Sequence, residues 1–193
     1  MKEIIFVTSN KGKIASAQQK FNNNVLLKHY DYEIDEPSVN DIEYIAKYKV
    51  KQAFEKVKKP CISLDAGFYI NNYPNNPGFP GAFPKRELMD KIGVEGLLEI
   101  MKDVKERDCY FKECLAYYDG INLKVFFGYV WGTLSTEIRG LNRSQKWSDL
   151  WYVFIPKNNT KTLAEMNDEE RANRNDDSIN PFVDFCNWFK KLD

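Results

Sequence analysis

The chain has 193 residues, 43% of them hydrophobic and 29% charged, and its 28 basic and 28 acidic side chains cancel. That is enough for one domain over residues 1–193, built as two small lobes with ample material for a core. A balanced charge excludes a protein that relies on nucleic-acid backbone contacts, which needs a basic surplus, but it leaves room for a local basic pocket for a small phosphorylated ligand. Four cysteines (Cys61, Cys109, Cys114, Cys186) form no C-x-x-C pair, and with the single His29 they make no zinc pattern. Three of the four sit in apolar surroundings, as buried free thiols do, and a reduced, cytoplasmic protein is the expectation. No apolar run is long enough for a signal peptide or a membrane span.

Residues 3–8 (EIIFVT) read as a buried strand and Ile14 to Phe21 as a helix. Between them lies Ser9-Asn10-Lys11-Gly12-Lys13. A helix start offers free N–H groups and a positive dipole end, so this turn suits a phosphate. P-loop spacing is absent, and an ordinary strand-to-helix turn with solvated lysines is the alternative. Val25 to Ile34 reads as a second strand. Glu33, Asp35 and Glu36 crowd its end, as ligands for a hard cation such as Mg2+ or as a solvated acidic turn. Ile42 to Val57 has helical periodicity, with Asn40 or Asp41 as N-cap and Lys47, Lys49 and Lys51 on the outward faces.

Cys61, Ile62 and Leu64 then lead into Asp65, followed by Gly67 and the Pro/Gly-rich loop Pro74 to Pro84. A lone carboxylate at the end of an apolar strand, before such a loop, is placed as a cleft acid is placed; a solvated turn aspartate is the alternative. Lys85 to Lys102 reads as a helix broken at Gly93. Cys109 to Tyr118 and Leu123 to Trp131 flank Asp119-Gly120 as a hairpin. A further strand is expected at Gly132 to Ile138, and a polar loop runs from Arg139 to about Ser148. Trp151 to Ile155 reads as a strand, Leu163 to Ala172 as a helix capped by Thr162, and Pro181 to Leu192 as a helix. Its aromatic stripe (Phe182, Phe185, Trp188, Phe189) suits core or dimer packing. The order gives an α/β or α+β fold in two lobes around a cleft.

Several of these pieces together resemble the Ham1-like inosine triphosphate pyrophosphatases, archaeal-type members most closely. Thr8-Ser9-Asn10-Lys11-Gly12-Lys13 resembles the family's T-[SG]-N-x-x-K, Leu64-Asp65-Ala66-Gly67 its [ED]-D-[ST]-G, and Gly78-Phe79-Pro80-Gly81 its G-x-P-G. Tyr110-Phe111-Lys112, Trp131-Gly132, Arg139-Gly140, Phe154-Ile155-Pro156, Lys161 to Met166 and Glu169-Glu170-Arg171 follow in the family's order. The resemblance implies an elongated α/β mixed-sheet fold with a central cleft, usually a homodimer. It also implies Mg2+-dependent hydrolysis of a nucleoside triphosphate, typically ITP, dITP or XTP, to the monophosphate and pyrophosphate. Carried over by residue, Asp65 would activate water or hold the metal, and Glu33 or Glu36 would complete the metal site. Thr8, Asn10 and Lys13 would bind phosphate, and Lys161 would lie near the nucleotide.

The base-reading motifs depart from the pattern. The family's F-G-[YW]-D-P segment has no gap-free match between Arg139 and Pro156, where Asp149 with Trp147 or Trp151 would accept from and stack on a base. The family's S-H-R falls on Asn175-Asp176-Asp177. Ionised aspartates only accept hydrogen bonds, so they suit an amino group rather than an exocyclic oxygen, or they are a solvated loop. A changed base, an inactive nucleotide-binding relative and a phosphohydrolase of another metabolite are the alternatives.

Overall fold

The computed structural model describes residues 2–21, 25–142 and 148–192. Its elements are β1 (Lys2–Val7), α1 (Lys11–Lys20), β2 (Val25–Tyr30), α2 (Ile42–Val57), β3 (Cys61–Ile70), β4 (Pro80–Gly81), a π-type turn of helix (Lys85–Met89), α3 (Gly93–Ile100), β5 (Asp108–Tyr118), β6 (Leu123–Leu134), a 3-10 turn (Asp149–Tyr152), β7 (Phe154–Pro156), α4 (Asp168–Ala172) and α5 (Pro181–Phe189). The strands pair in the order β2-β1-β3-β5-β6-β7, with β4 on β3. β1 is parallel to β2 and β3, whereas β3–β4 and β6–β7 are antiparallel, so the sheet is mixed. Among the described residues no helix is long and apolar enough to cross a membrane.

The chain divides into two compact units. The first comprises the described parts of 1–66, 113–128 and 180–193. Its core gathers Ile4 and Phe6 of β1, Ile62 and Leu64 of β3, Leu115 and Tyr117 of β5, and Phe182, Phe185 and Phe189 of α5. Phe6 and Phe182 meet edge to face at 5.8 Å, a favoured aromatic geometry. The aromatic stripe of α5 therefore closes this core.

The second unit comprises 67–112 and the described parts of 129–179. Phe68, Ile70, Leu88, Leu97, Met101, Val153 and Phe154 form its centre. Gly67 is required there: a Cβ would lie 2.7 Å from the Gly81 carbonyl oxygen, so only glycine lets β4 come this close. Arg107 is buried, and its guanidinium donates to the carbonyls of Leu134, Ser135 and Met101, tying the end of α3 to the end of β6.

Several boundaries differ from expectation. β3 does not stop at Asp65 but continues to Ile70. α1 begins at Lys11 because the Asn10 side chain accepts from the N–H groups of Gly12 and Lys13. Leu123 to Leu134 is one strand, with no separate strand after Gly132. Trp151 belongs to a 3-10 turn, and β7 is only Phe154–Pro156. The Leu163–Ala172 helix shrinks to Asp168–Ala172, because Asn167, not Thr162, forms the capping box, with Glu170.

Candidate active site

The site is built on the pleat of β3 against α2, within the first unit. Successive strand side chains alternate between faces. Ile62 and Leu64 enter the apolar core, and Cys61, Ser63 and Asp65 take the other face. The Cys61 thiol meets the carbonyl of Val50 at 3.7 Å, the Ser63 hydroxyl donates to the carbonyl of Ala46 at 3.2 Å, and Asp65 meets the side chain of Lys49. α2 is held by Asp41, which accepts from the N–H groups of Glu43 and Tyr44, and its buried positions are Ile42, Ile45, Ala46, Val50 and Ala53. Lys49 lies four residues after Ile45 and three after Ala46, which puts it on that same face. It is not an outward lysine: its side chain is 14% exposed.

Lys49 joins two carboxylates. Its ammonium donates to Asp65 Oδ1 at 2.8 Å and to Glu36 Oε1 at 2.8 Å. Asp65 is 5% exposed, and its other oxygen, Oδ2, is buried with no hydrogen-bond partner. Lys13 reaches the same place from α1, donating to the Leu64 carbonyl at 2.6 Å. Burial lowers the Lys13 pKa and Lys49 lowers it further, with Asp65, Glu36 and Glu113 opposing. For Lys49 burial also acts downward, but Asp65 and Glu36 outweigh it, so its pKa is raised and its charge is secure.

Asp65, Lys13 and Glu36 come together, with Lys49 at their centre, whereas Glu33 is exposed and joins no part of this cluster. Thr8 and Asn10 lie at the start of α1, where Thr8 Oγ1 accepts from the Asn10 N–H at 3.1 Å and Asn10 caps the helix. Lys49 was missed because lysine is ordinarily solvated. The signal that would have found it is its spacing from Ile45 and Ala46.

Among the described residues no group of three or more His, Cys, Asp or Glu side chains is arranged to hold a metal. Mg2+ does not need such a cage: it keeps several waters and is commonly bound by one or two carboxylates plus the phosphates of a substrate. The unpartnered, buried Oδ2 of Asp65 and the carboxylate of Glu36 fit that mode.

The second unit holds the other expected residues. Lys161 pairs with Glu170, itself part of the α4 capping box. Arg139 steadies this segment by donating to the Thr160 carbonyl at 2.8 Å and pairing with Glu165 at 2.8 Å. An open recess of about 370 Å³ is lined here by Asn158, Thr160, Lys161, Glu170, Asn173 and Asn175. Asp149 is exposed at the head of the 3-10 turn, Trp151 lies under the Arg171 guanidinium at 5.2 Å, and Trp147 lies outside the described residues. The loop 175–177 is not simply solvated. Asp176 is 1% exposed, bound by Arg174 and by the Ser178 N–H, and Asp177 pairs with Lys157 at 2.8 Å.

Comparison with known proteins adds sequence and fold to this geometry. The model of the Ham1 family matches residues 4–176. The dITP/XTP pyrophosphatase of Thermococcus kodakarensis is 31% identical over 190 residues, 97% of this chain and 97% of its own. That of Saccharolobus solfataricus is also 31% identical, over 95% of this chain and 92% of its own. A Ham1 protein from Coxiella burnetii shares the fold with a TM-score of 0.78 at 18% identity, covering 100% of both chains. The Ham1 protein of Staphylococcus aureus does so with a TM-score of 0.73 at 20% identity, covering 98% of this chain and 96% of its own.

Proposed function

Since the chain belongs to the Ham1 family, we propose that it hydrolyses a non-canonical purine nucleoside triphosphate, such as dITP, ITP or XTP, to the monophosphate and pyrophosphate. Asp65 supports this reading most directly, as a buried carboxylate with one oxygen on a lysine and the other without a partner. Such an oxygen accepts the proton of an attacking water, or ligates a metal that orients it. Lys13 and Lys49 stand beside it to neutralise phosphate charge. Asp65 and Glu36 are the residues that would hold Mg2+, which when bound supplies charge neutralisation at the phosphoryl oxygens. The start of α1, with Thr8 and Asn10, adds the positive end of a helix dipole.

The test is Asp65→Asn, assayed with a panel of canonical and deaminated triphosphates in Mg2+, reading pyrophosphate and orthophosphate separately. Release of pyrophosphate is expected to fall by roughly 10²- to 10⁴-fold, the usual worth of a general acid or base, with the thermal midpoint little changed. Unchanged turnover, or orthophosphate as the product, would exclude the assignment.

A second reading, the same reaction with a changed base, rests on Asp176. Where the resemblance calls for histidine and arginine, this chain has two carboxylates already engaged by Arg174 and Lys157. They offer no cation to a base edge, and ionised they only accept hydrogen bonds, which suits an amino group. A panel in which an amino-bearing purine outpaces ITP and XTP would select this reading.

A further inference from the structure

We propose that Lys49 is a counter-ion latch: it holds Asp65 and Glu36 in the nucleotide-free protein and yields them only when a triphosphate is there to receive its ammonium. The inference rests on the hydrolase reading for the identity of the ligand, but not on turnover. Free divalent cations then bind this protein weakly, and the cation arrives as its nucleotide complex.

The geometry is that of a cation already in place. The two carboxylates come from different elements, Asp65 from β3 and Glu36 from the segment before α2, and one ammonium meets both at 2.8 Å. Lys49 takes one oxygen of each carboxylate and leaves Asp65 Oδ2 open, so a hard cation held by Oδ2 and Glu36 would stand beside its ammonium and compete with it for the same negative charge. Lys49 cannot simply be pushed aside by such a cation. Lys13 stands in the same cluster, and its charge is already disfavoured by burial and by Lys49. Taking Asp65 and Glu36 from Lys49 leaves two neighbouring ammonium groups short of counter-charge, in surroundings where Lys49 is only 14% exposed. A triphosphate removes that obstacle, because its oxygens accept from both ammonium groups at once. Metal and nucleotide are thus positively coupled through one side chain, as linkage requires.

Isothermal titration of Mn2+ into the nucleotide-free protein tests this, using wild type, Lys49→Met and Lys51→Met. Lys51 is exposed on the same helix, so its variant makes the same change of net charge away from the cluster. Lys49→Met is expected to bind free Mn2+ about tenfold tighter or more, since a neighbouring positive charge is gone, with Lys51→Met within about twofold of wild type. In the second arm, Mn2+ with an α,β-methylene analogue of ITP should bind Lys49→Met about tenfold more weakly than wild type, because the phosphate partner is lost. Opposite signs in the two arms are the signature of the latch. Equal Mn2+ affinity in Lys49→Met and Lys51→Met overturns it. So does tighter binding in both arms, which would make Lys49 a mere source of repulsion. Lys49→Gln, which retains hydrogen bonding to the carboxylates, serves if the methionine variant is poorly folded. Opposite signs in a protein that cleaves no triphosphate would uphold the latch and remove the hydrolase reading.

Discussion

Lys13 carries a charge that its surroundings oppose. Its folded-state pKa lies below that of a free lysine, chiefly through burial, so the charged form costs the fold stability throughout the neutral range. A group in that position is kept for something other than stability. Lys13→Met is expected to leave the thermal midpoint of the nucleotide-free protein unchanged or raised by a few degrees, while triphosphate-analogue affinity falls roughly ten- to hundredfold, the worth of one charged hydrogen bond. Thermal shift with and without the analogue reads both effects, and a lowered midpoint with unchanged affinity would mark Lys13 as purely structural. At this scale the sequence was informative about Asp65 and Lys13, which stand in recognisable motifs at the ends of apolar runs. It put Lys49 on an outward face and was silent about Glu113; both have the identities of ordinary surface residues, and only packing gives them a role.

Between β5 and β6, Asp119 organises a tight turn. Its carboxylate accepts from the N–H groups of Ile121 at 2.9 Å and Asn122 at 2.7 Å, from the Asn122 amide and from the Tyr117 hydroxyl. Burial acts to raise its pKa, but these donors outweigh it, and the pKa is lowered. A carboxylate depressed in the fold contributes stability that is fully present above its unfolded pKa and lost as pH falls through the folded value. Asp119→Ala should therefore destabilise by about 1 kcal/mol per lost hydrogen bond at pH 7, and its difference from wild type should shrink as pH falls below about 4. Urea midpoints at pH 7 and pH 3 check this. The Asp-Gly signal of that hairpin was plain in sequence, as was the α2 periodicity, whose predicted limits, Ile42 and Val57, are those observed. Elements of weak or mixed period were read less well. The Trp151 to Ile155 run is β-rich by composition, yet Ser148 accepts from the Leu150 N–H and starts a 3-10 turn first. The helix expected from Leu163 begins only where Asn167 and Glu170 satisfy each other.

At the scale of the molecule, each of the two units has an apolar centre of its own, and both centres take residues from distant parts of the sequence. No periodicity reveals which segments meet, which is why the strand order and the allotment of β3, β5 and β6 to both units were beyond the sequence. The α/β class and the burial of most of the cysteines were not. All four cysteines are buried and outside any disulfide. Burial pushes Cys61 up to about 12 and also raises Cys109 and Cys186. Ellman's reagent should therefore find almost no thiol in the native protein over minutes and four after unfolding in guanidinium. Rapid native labelling of any one would place it at the surface.

Asp65 faces α2 and Leu64 faces the core only because of their parity within the strand. Removing or adding a single residue between Cys61 and Leu64 would exchange the two faces, sending a carboxylate into apolar packing and a leucine toward Lys49. Across related or engineered chains, this segment should accept changes of spelling but not of length, and any length change that survives should come in pairs of residues.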